Sequence, residues 1–191
     1  MTARIGTTGG AAGQFHGPAG AAIGPDGTLY VADEGNARVQ EFDLFGRLLG
    51  GFGSYTGGGN PAAALRAPAA LAVAPGATSG TTTVYAVDED NKRVQVIVGD
   101  RIAGQRGNGS PGASGLGDPA AAVAHDGSLV VLDAARSRRV RYQGAGAEAS
   151  TPLTPGMPGV PLGLAADGRG LVVAVVDPLR GTSKQQRLTV R

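Results

Sequence analysis

The sequence predicts an all-β fold assembled from four similar units of short antiparallel strands. Three observations carry that expectation: a self-similar pattern that recurs every 42 to 55 residues, Asp-Gly turns at one fixed place in three of the units, and a composition hostile to helix. The chain of 191 residues holds 34 glycines and 12 prolines. Glycine costs about 1 kcal/mol and proline about 3 kcal/mol at a helical site, so many strands joined by Gly/Pro turns are the favoured alternative.

The units align by eye. Unit one runs from Gly13 through Pro18, Asp26-Gly27, Tyr30-Val31-Ala32-Asp33 and Asn36-Ala37-Arg38-Val39-Gln40 to Gly53. The equivalent prolines are Pro18, Pro68, Pro119 and Pro161, and the equivalent aspartates are Asp33, Asp88, Asp133 and Asp177. Arg38, Arg93 and Arg138 each lie five residues beyond their aspartate. The units occupy approximately residues 13–53, 65–104, 117–146 and 159–191 of a single domain spanning 1–191.

Each unit parses into strands a to d. Strand a is expected at 19–23, 69–74, 120–124 and 162–166, and strand b at 28–32, 83–87, 128–132 and 171–176. Between them lie Asp26-Gly27, Asp126-Gly127 and Asp167-Gly168, a pair that supplies the positive-φ position a tight hairpin needs. Strand c is expected to begin at an arginine, at 38–42, 93–98, 138–142 and 187–190. Strand d is expected at 47–52 and 101–103, is weak in unit three, and has a counterpart in 3–6, which precedes unit one and would close a ring by pairing with 187–190. A period of this length is that of a four-stranded propeller blade. A lone blade cannot bury its faces, and the small residues Ala69-Ala70, Ala120-Ala121-Ala122 and Ala165-Ala166 suit inner strands that converge on an axis.

These motifs resemble the NHL repeat: apolar-Pro-x-Gly, then Asp-Gly, Tyr-Val-x-Asp, Asn-x-Arg-Val-Gln and a closing Phe-Asp-x-x-Gly. Unit one matches almost throughout and unit two nearly as well; unit three keeps the aspartate and arginine with Ser137 in place of asparagine, and unit four keeps the strand pattern, Asp177 and a late arginine. The resemblance implies a β-propeller of about six blades, so four blades imply either a small closed ring or part of a larger one. It implies no particular ligand.

Composition excludes several function classes. No cysteine is present, so disulfides and thiolate chemistry are absent. The longest apolar run, Leu171 to Val176, is far below the roughly 20 residues that span a bilayer. The N-terminus has no apolar signal-peptide core; the compartment stays undetermined. Net charge is +2, divided as −2 over residues 1–95 (6 basic, 8 acidic) and +4 over 96–191 (11 basic, 7 acidic), which is modest for a nucleic-acid footprint.

Candidate sites are few. Asp33, Arg38, Asp88, Arg93, Asp133, Arg138 and Asp177 recur with the repeat and are read as structural. Arg136, Arg138, Arg139 and Arg141, joined by Lys92 and Arg93, form the one dense basic cluster, with Arg139 and Arg141 on a strand face opposite Arg138. It is the candidate binding surface, although no aromatic platform accompanies it. His16 and His125 occupy non-equivalent places, which gives no metal set and does not match the axial histidines of NHL-like amidating lyases. Gly107 to Gly112 satisfies G-x-G-x-x-G without a following helix, and the acidic stretches from Asp33 and Asp88 lack the spacing of a calcium loop. No catalytic residue, metal or cofactor is assigned. The expectation is a non-catalytic recognition or scaffold module for a protein or peptide, bound at the face of the b–c turns (34–36, 89–91, 134–137) and the blade-to-blade loops (54–65, 105–117). The alternatives are a propeller hydrolase or lyase that has lost or lacks its metal site, RNA or polyanion binding at the arginines, and self-association of an open ring.

Overall fold

The computed structural model describes residues 4–53, 64–99, 101–107, 115–125, 127–143, 146–153, 160–167, 170–177 and 182–188. Two short strands come first, β1 (Thr7–Thr8) and β2 (Gln14–Phe15). The first blade is β3 (Pro18–Ile23), β4 (Leu29–Asp33), β5 (Arg38–Phe42) and β6 (Leu48–Gly53), with one 3-10 turn over Glu34–Asn36. The second is β7 (Pro68–Pro75), β8 (Thr82–Asp88), β9 (Arg93–Val98) and β10 (Arg101–Arg106), and the third is β11 (Pro119–His125), β12 (Ser128–Asp133), β13 (Arg138–Gln143) and β14 (Gly146–Pro152). The fourth holds β15 (Val160–Asp167), β16 (Gly170–Asp177) and β17 (Thr182–Leu188). Blades one to three are four-stranded antiparallel meanders; the fourth has three strands among the described residues.

A shared device starts every blade. The pairing of strand a with strand b slips just after the proline, between Pro18 and Gly20, Pro68 and Ala70, Pro119 and Ala121, and Pro161 and Gly163. Proline has no N–H to give the ladder, so it sits at the first position of the strand in blades one to three and at the second in blade four, where a bulge absorbs the missing bond. The Asp-Gly hairpins behave as their chemistry requires, with Gly27 at φ +80° and Gly127 at φ +71°; Gly168 lies outside the described residues.

The inner strands β3, β7, β11 and β15 lie side by side in that order, which fans the blades about an axis. They approach closely: a Cβ built on Gly20 would lie 3.0 Å from Ala70 Cα and 3.1 Å from the Ala69 carbonyl oxygen. The core lies in the seams between blades. Tyr30 and Val39 of blade one pack with Leu65, Val84, Ala86 and Ile97, and Ala72, Val87 and Val94 of blade two pack with Leu116, Ala122, Leu129, Val131, Val140 and Tyr142. Burying such side chains stabilises by about 1.5–3 kcal/mol each, so the seams hold the blades together.

Three strands depart from the sequence reading. The fourth strand c runs over Thr182–Leu188 rather than 187–190, because its register closes Asp177 against Thr182, the five-residue step that pairs Asp33 with Arg38, Asp88 with Arg93 and Asp133 with Arg138. Thr182 thus holds the position of the arginine. Strand d of blade three is a full strand, Gly146–Pro152, and β10 extends past residue 103 to Arg106. At the N-terminus Arg4–Gly6 forms no strand, and Thr7–Thr8 pairs in parallel with Gln14–Phe15. Ala3 and residues 189–191, the other parts of the ring-closing pairing, lie outside the described residues.

Candidate functional site

The meander order puts the b–c turns and the blade-to-blade loops at one end of the barrel of blades and the a–b and c–d turns at the other. At the first end the repeat's aspartate and arginine form a clamp. Asp33 is fully buried. Its Oδ1 accepts the N–H of His16 at 2.7 Å, and its Oδ2 accepts Arg38 Nε at 2.8 Å and Asn36 Nδ2 at 2.8 Å. The Arg38 guanidinium then reaches the carbonyls of Gly10 (3.0 Å), Ala11 (2.8 Å) and Gln14 (2.8 Å). One carboxylate and one guanidinium therefore tie the b–c turn to the loop that leads into the same blade.

The second and third blades repeat the arrangement. Asp88 Oδ1 accepts the N–H groups of Arg66 (2.9 Å) and Ala67 (3.3 Å), and Oδ2 accepts Asn91 Nδ2 (2.7 Å) and Arg93 Nε (3.0 Å). Arg93 Nη2 donates to the Ala64 carbonyl at 2.7 Å. Asp133 accepts the N–H groups of Gly117 (3.1 Å) and Asp118 (3.0 Å), together with Arg138 Nε (2.9 Å) and Arg136 Nη1 (3.2 Å). Arg138 Nη2 donates to the Gly115 carbonyl. Burial raises the Asp133 pKa, but those four donors outweigh it and hold the carboxyl below its ordinary value. The side chain of Asp177, the fourth aspartate, lies outside the described residues.

The third blade corrects one alignment. The residue three beyond Asp133, where blades one and two carry Asn36 and Asn91, is Arg136, and its guanidinium replaces the amide on the carboxylate. Ser137 instead matches Ala37 and Lys92. All three adopt left-handed backbone, at φ 46°, 53° and 53°. Each donates its N–H to the carbonyl three residues back, which closes the turn just before strand c.

The clamp dissolves the basic cluster as a single patch. Lys92 Nζ pairs with Asp118 Oδ1 at 3.0 Å, Arg93 with Asp88, and Arg136 and Arg138 with Asp133. Arg141 Nε donates to Ser128 Oγ at 2.8 Å. Arg139 occupies the position of the fully buried Val39 and Val94, which face the following blade, and its buried Nη1 has no hydrogen-bond partner among the described residues. The turn end carries acidic groups as well: burial and the neighbouring charge of Asp118 push the Glu89 carboxyl upward, with Glu34 and Asp90 adding to the shift.

Asp133 accepts four hydrogen bonds, two of them from arginine, and its lowered pKa leaves this carboxylate little tendency to take a proton. His16 contributes its backbone, donating to Asp33 and accepting from Gly35 N–H; the side chain of His125 lies outside the described residues. Among the described residues no group of three or more His, Asp or Glu could hold a metal ion. The G-x-G-x-x-G stretch lies outside them beyond Gly107.

Sequence reasoning missed the loop anchors. Phe15, Leu65 and Leu116 each stand three residues before the strand a proline. The Phe15 ring lies 5.6 Å from that of Phe42, while Leu65 and Leu116 are buried in successive seams. Their signal was an apolar residue at one repeat position inside otherwise glycine-rich loops.

A family model described as the NHL repeat matches residues 15–42. No curated protein matches the sequence. Among solved structures, a catalytically inactive virginiamycin B lyase from Staphylococcus aureus with quinupristin aligns at TM-score 0.59 and 13% identity, over 91% of this chain and 56% of that one. The N-terminal part of BBS1 in complex with ARL6 aligns at TM-score 0.55 and 15% identity, over 78% and 41%, and Myxococcus xanthus glutaminyl cyclase at 0.52 and 14%, over 86% and 67%. The chain thus spans little more than half the length of the lyase. At these identities the likeness is one of fold. The chain is a β-propeller whose first blade is an NHL repeat.

Proposed function

We propose that this chain is a non-catalytic recognition or scaffold module that engages a protein or peptide through its b–c turns and blade-to-blade loops. The observation that carries this reading is the clamp. It fixes three successive turns and the loops beside them into one rigid rim, and binding groups are most effective on loops held by a rigid scaffold. The same clamp occupies the charged residues that a catalytic reading would need. The structural likeness to BBS1, solved in complex with ARL6, supports a propeller acting as a protein-binding surface. The likeness to virginiamycin B lyase and glutaminyl cyclase keeps an enzyme as the rival reading.

Charge at the rim favours a protein partner over RNA or another polyanion. Arg93, Arg136, Arg138 and Arg141 are bonded within their own blades, whereas Glu34, Glu89 and Asp90 stand on the turns. A partner segment with basic side chains fits this surface better than a phosphate backbone does.

The test is a peptide library panned against the immobilised chain, with the site mapped by hydrogen exchange. Protection is expected at 34–36, 89–91 and 134–137, with binding lost in Glu89→Gln/Asp90→Asn. Binders that protect only the opposite end, or a stoichiometric metal removed together with a hydrolase or lyase activity, would overturn the proposal.

A further inference from the structure

The end of the blades opposite the rim carries a feature that recognition at the rim does not use. The c–d turn of blade one, residues 43–47, displays Leu44 and Phe45 at 57% and 94% exposure. This display is rigid. Asp43 Oδ1 accepts the N–H of Phe45 at 3.0 Å and of Arg47 at 2.8 Å, and its Oδ2 accepts Arg47 Nε at 3.1 Å. The backbone closes as well, from Asp43 N–H to the Arg47 carbonyl at 2.9 Å and from Gly46 N–H, at φ +87°, to the Asp43 carbonyl at 3.0 Å. A locked turn that holds an almost fully exposed phenyl ring is a knob.

A matching hole lies at the same end. Between the a–b turns of blades two and three is a notch of about 440 Å³ lined by Val73, Ala74, Pro75, Tyr85 and Ala124, among others. The equivalent seam between blades one and two is filled differently: Tyr30 is buried there and its hydroxyl donates to Asp26 Oδ2 at 3.4 Å. Blade two has no aspartate in its a–b turn, and Tyr85 remains half-buried at the notch.

We propose that this end is an isologous interface between two copies of the chain, in which Phe45 of each copy enters the notch of the other. Knob and notch stand on one face, and a two-fold axis lying in that face midway between them brings both pairs into register at once. Charge agrees with this occupant. The Arg47 side chain beside the knob is 76% exposed, and exposed Asp26 flanks the notch across Pro75, so the docking that seats each phenyl ring also brings unlike charges together.

The test uses the absence of cysteine. Sedimentation of the full chain should show a concentration-dependent monomer–dimer equilibrium, and Phe45→Asp should weaken it by at least about tenfold, as loss of an aromatic anchor does. Because Phe45 is exposed, the variant folds normally. Leu44→Cys mixed with Ala74→Cys under mild oxidation should give the mixed disulfide dimer in preference to either homodimer. A monomer at every concentration, a dimer insensitive to Phe45→Asp, or cross-links mainly between two Leu44→Cys copies would overturn the proposal.

Discussion

Blades one to three and blade four share a proline, a bulge and a strand b that ends in aspartate, yet they differ at the position opposite that aspartate. Blades one to three place arginine opposite that aspartate, whereas blade four places Thr182 there. The fourth blade still forms its meander. Strand formation therefore does not depend on the clamp. What the clamp adds in the first three blades is a bond between the b–c turn and the loop entering the blade, through carbonyls such as those of Gly10, Ala64 and Gly115. The repeat superposes two signals: proline, Asp-Gly and alternating apolar residues set the sheet, and the Asp–Arg pair sets the rim.

Breaking the clamp where it is most buried should give the largest effect. Arg38→Ala leaves fully buried Asp33 without its cation and frees three loop carbonyls; loss of one partner of a buried pair costs about 3–5 kcal/mol. Truncating Arg187, the arginine the sequence reading set at the fourth strand c, should cost less, because the register sets it opposite Val172 and not opposite Asp177. Denaturant unfolding of both variants compares them directly, and equal costs would erase the distinction between the blades.

The inner strands come next, because they test the feature that all the blades share. At Gly20, valine would press against Ala70 Cα and the Ala69 carbonyl, and overpacking of this kind costs roughly 1–3 kcal/mol. A Gly20→Val chain with an unchanged melting temperature would mean that β3 and β7 do not meet at the axis.

Acid should act through the clamped blades. The Asp133 carboxyl lies below its ordinary 3.8 in the folded chain. Its contribution is therefore complete above that value and fades as pH falls through the range below it. Melting temperature should stay nearly level between roughly pH 7 and 5 and drop below about pH 4, and Asp133→Asn should shallow that drop. An acid limb unchanged in the variant would remove Asp133 from the account.

The smallest effect sharpens the turn. Ala37 holds left-handed backbone at φ 53°, a conformation that costs a residue with a Cβ roughly 1 kcal/mol. Ala37→Gly should relieve it, offset by the freedom glycine gains when unfolded, for a net gain of up to about 1 kcal/mol by thermal melting. A loss of stability would place the strain elsewhere.

Much of this fold was legible because the repeat marks its own boundaries. Strands a to c of the first three units fall within one or two residues of expectation, since proline starts strand a, Asp-Gly turns it in the first and third units, and arginine starts strand c. Strand d of blade three, Gly-Ala-Glu-Ala-Ser-Thr-Pro, escaped because small and polar residues give no alternation. The fourth strand c escaped because Thr182 removed the arginine that served as its marker. The site was legible only as a list of repeated residues. That the arginines reach loop carbonyls, that Phe15 packs against Phe42, and that Leu65 and Leu116 plug the seams depends on contacts 20 or more residues apart in the chain, which spacing within one unit does not encode.

The central claim is that the repeated aspartate is a rim clamp. Native-state hydrogen exchange on Asp88→Asn tests it most directly. The Arg66, Ala67 and Glu89 amides, bonded to the Asp88 carboxylate or held beside it, should lose protection selectively, while the β8 and β9 ladder amides keep most of theirs. Full protection of those three amides in the variant would contradict the account.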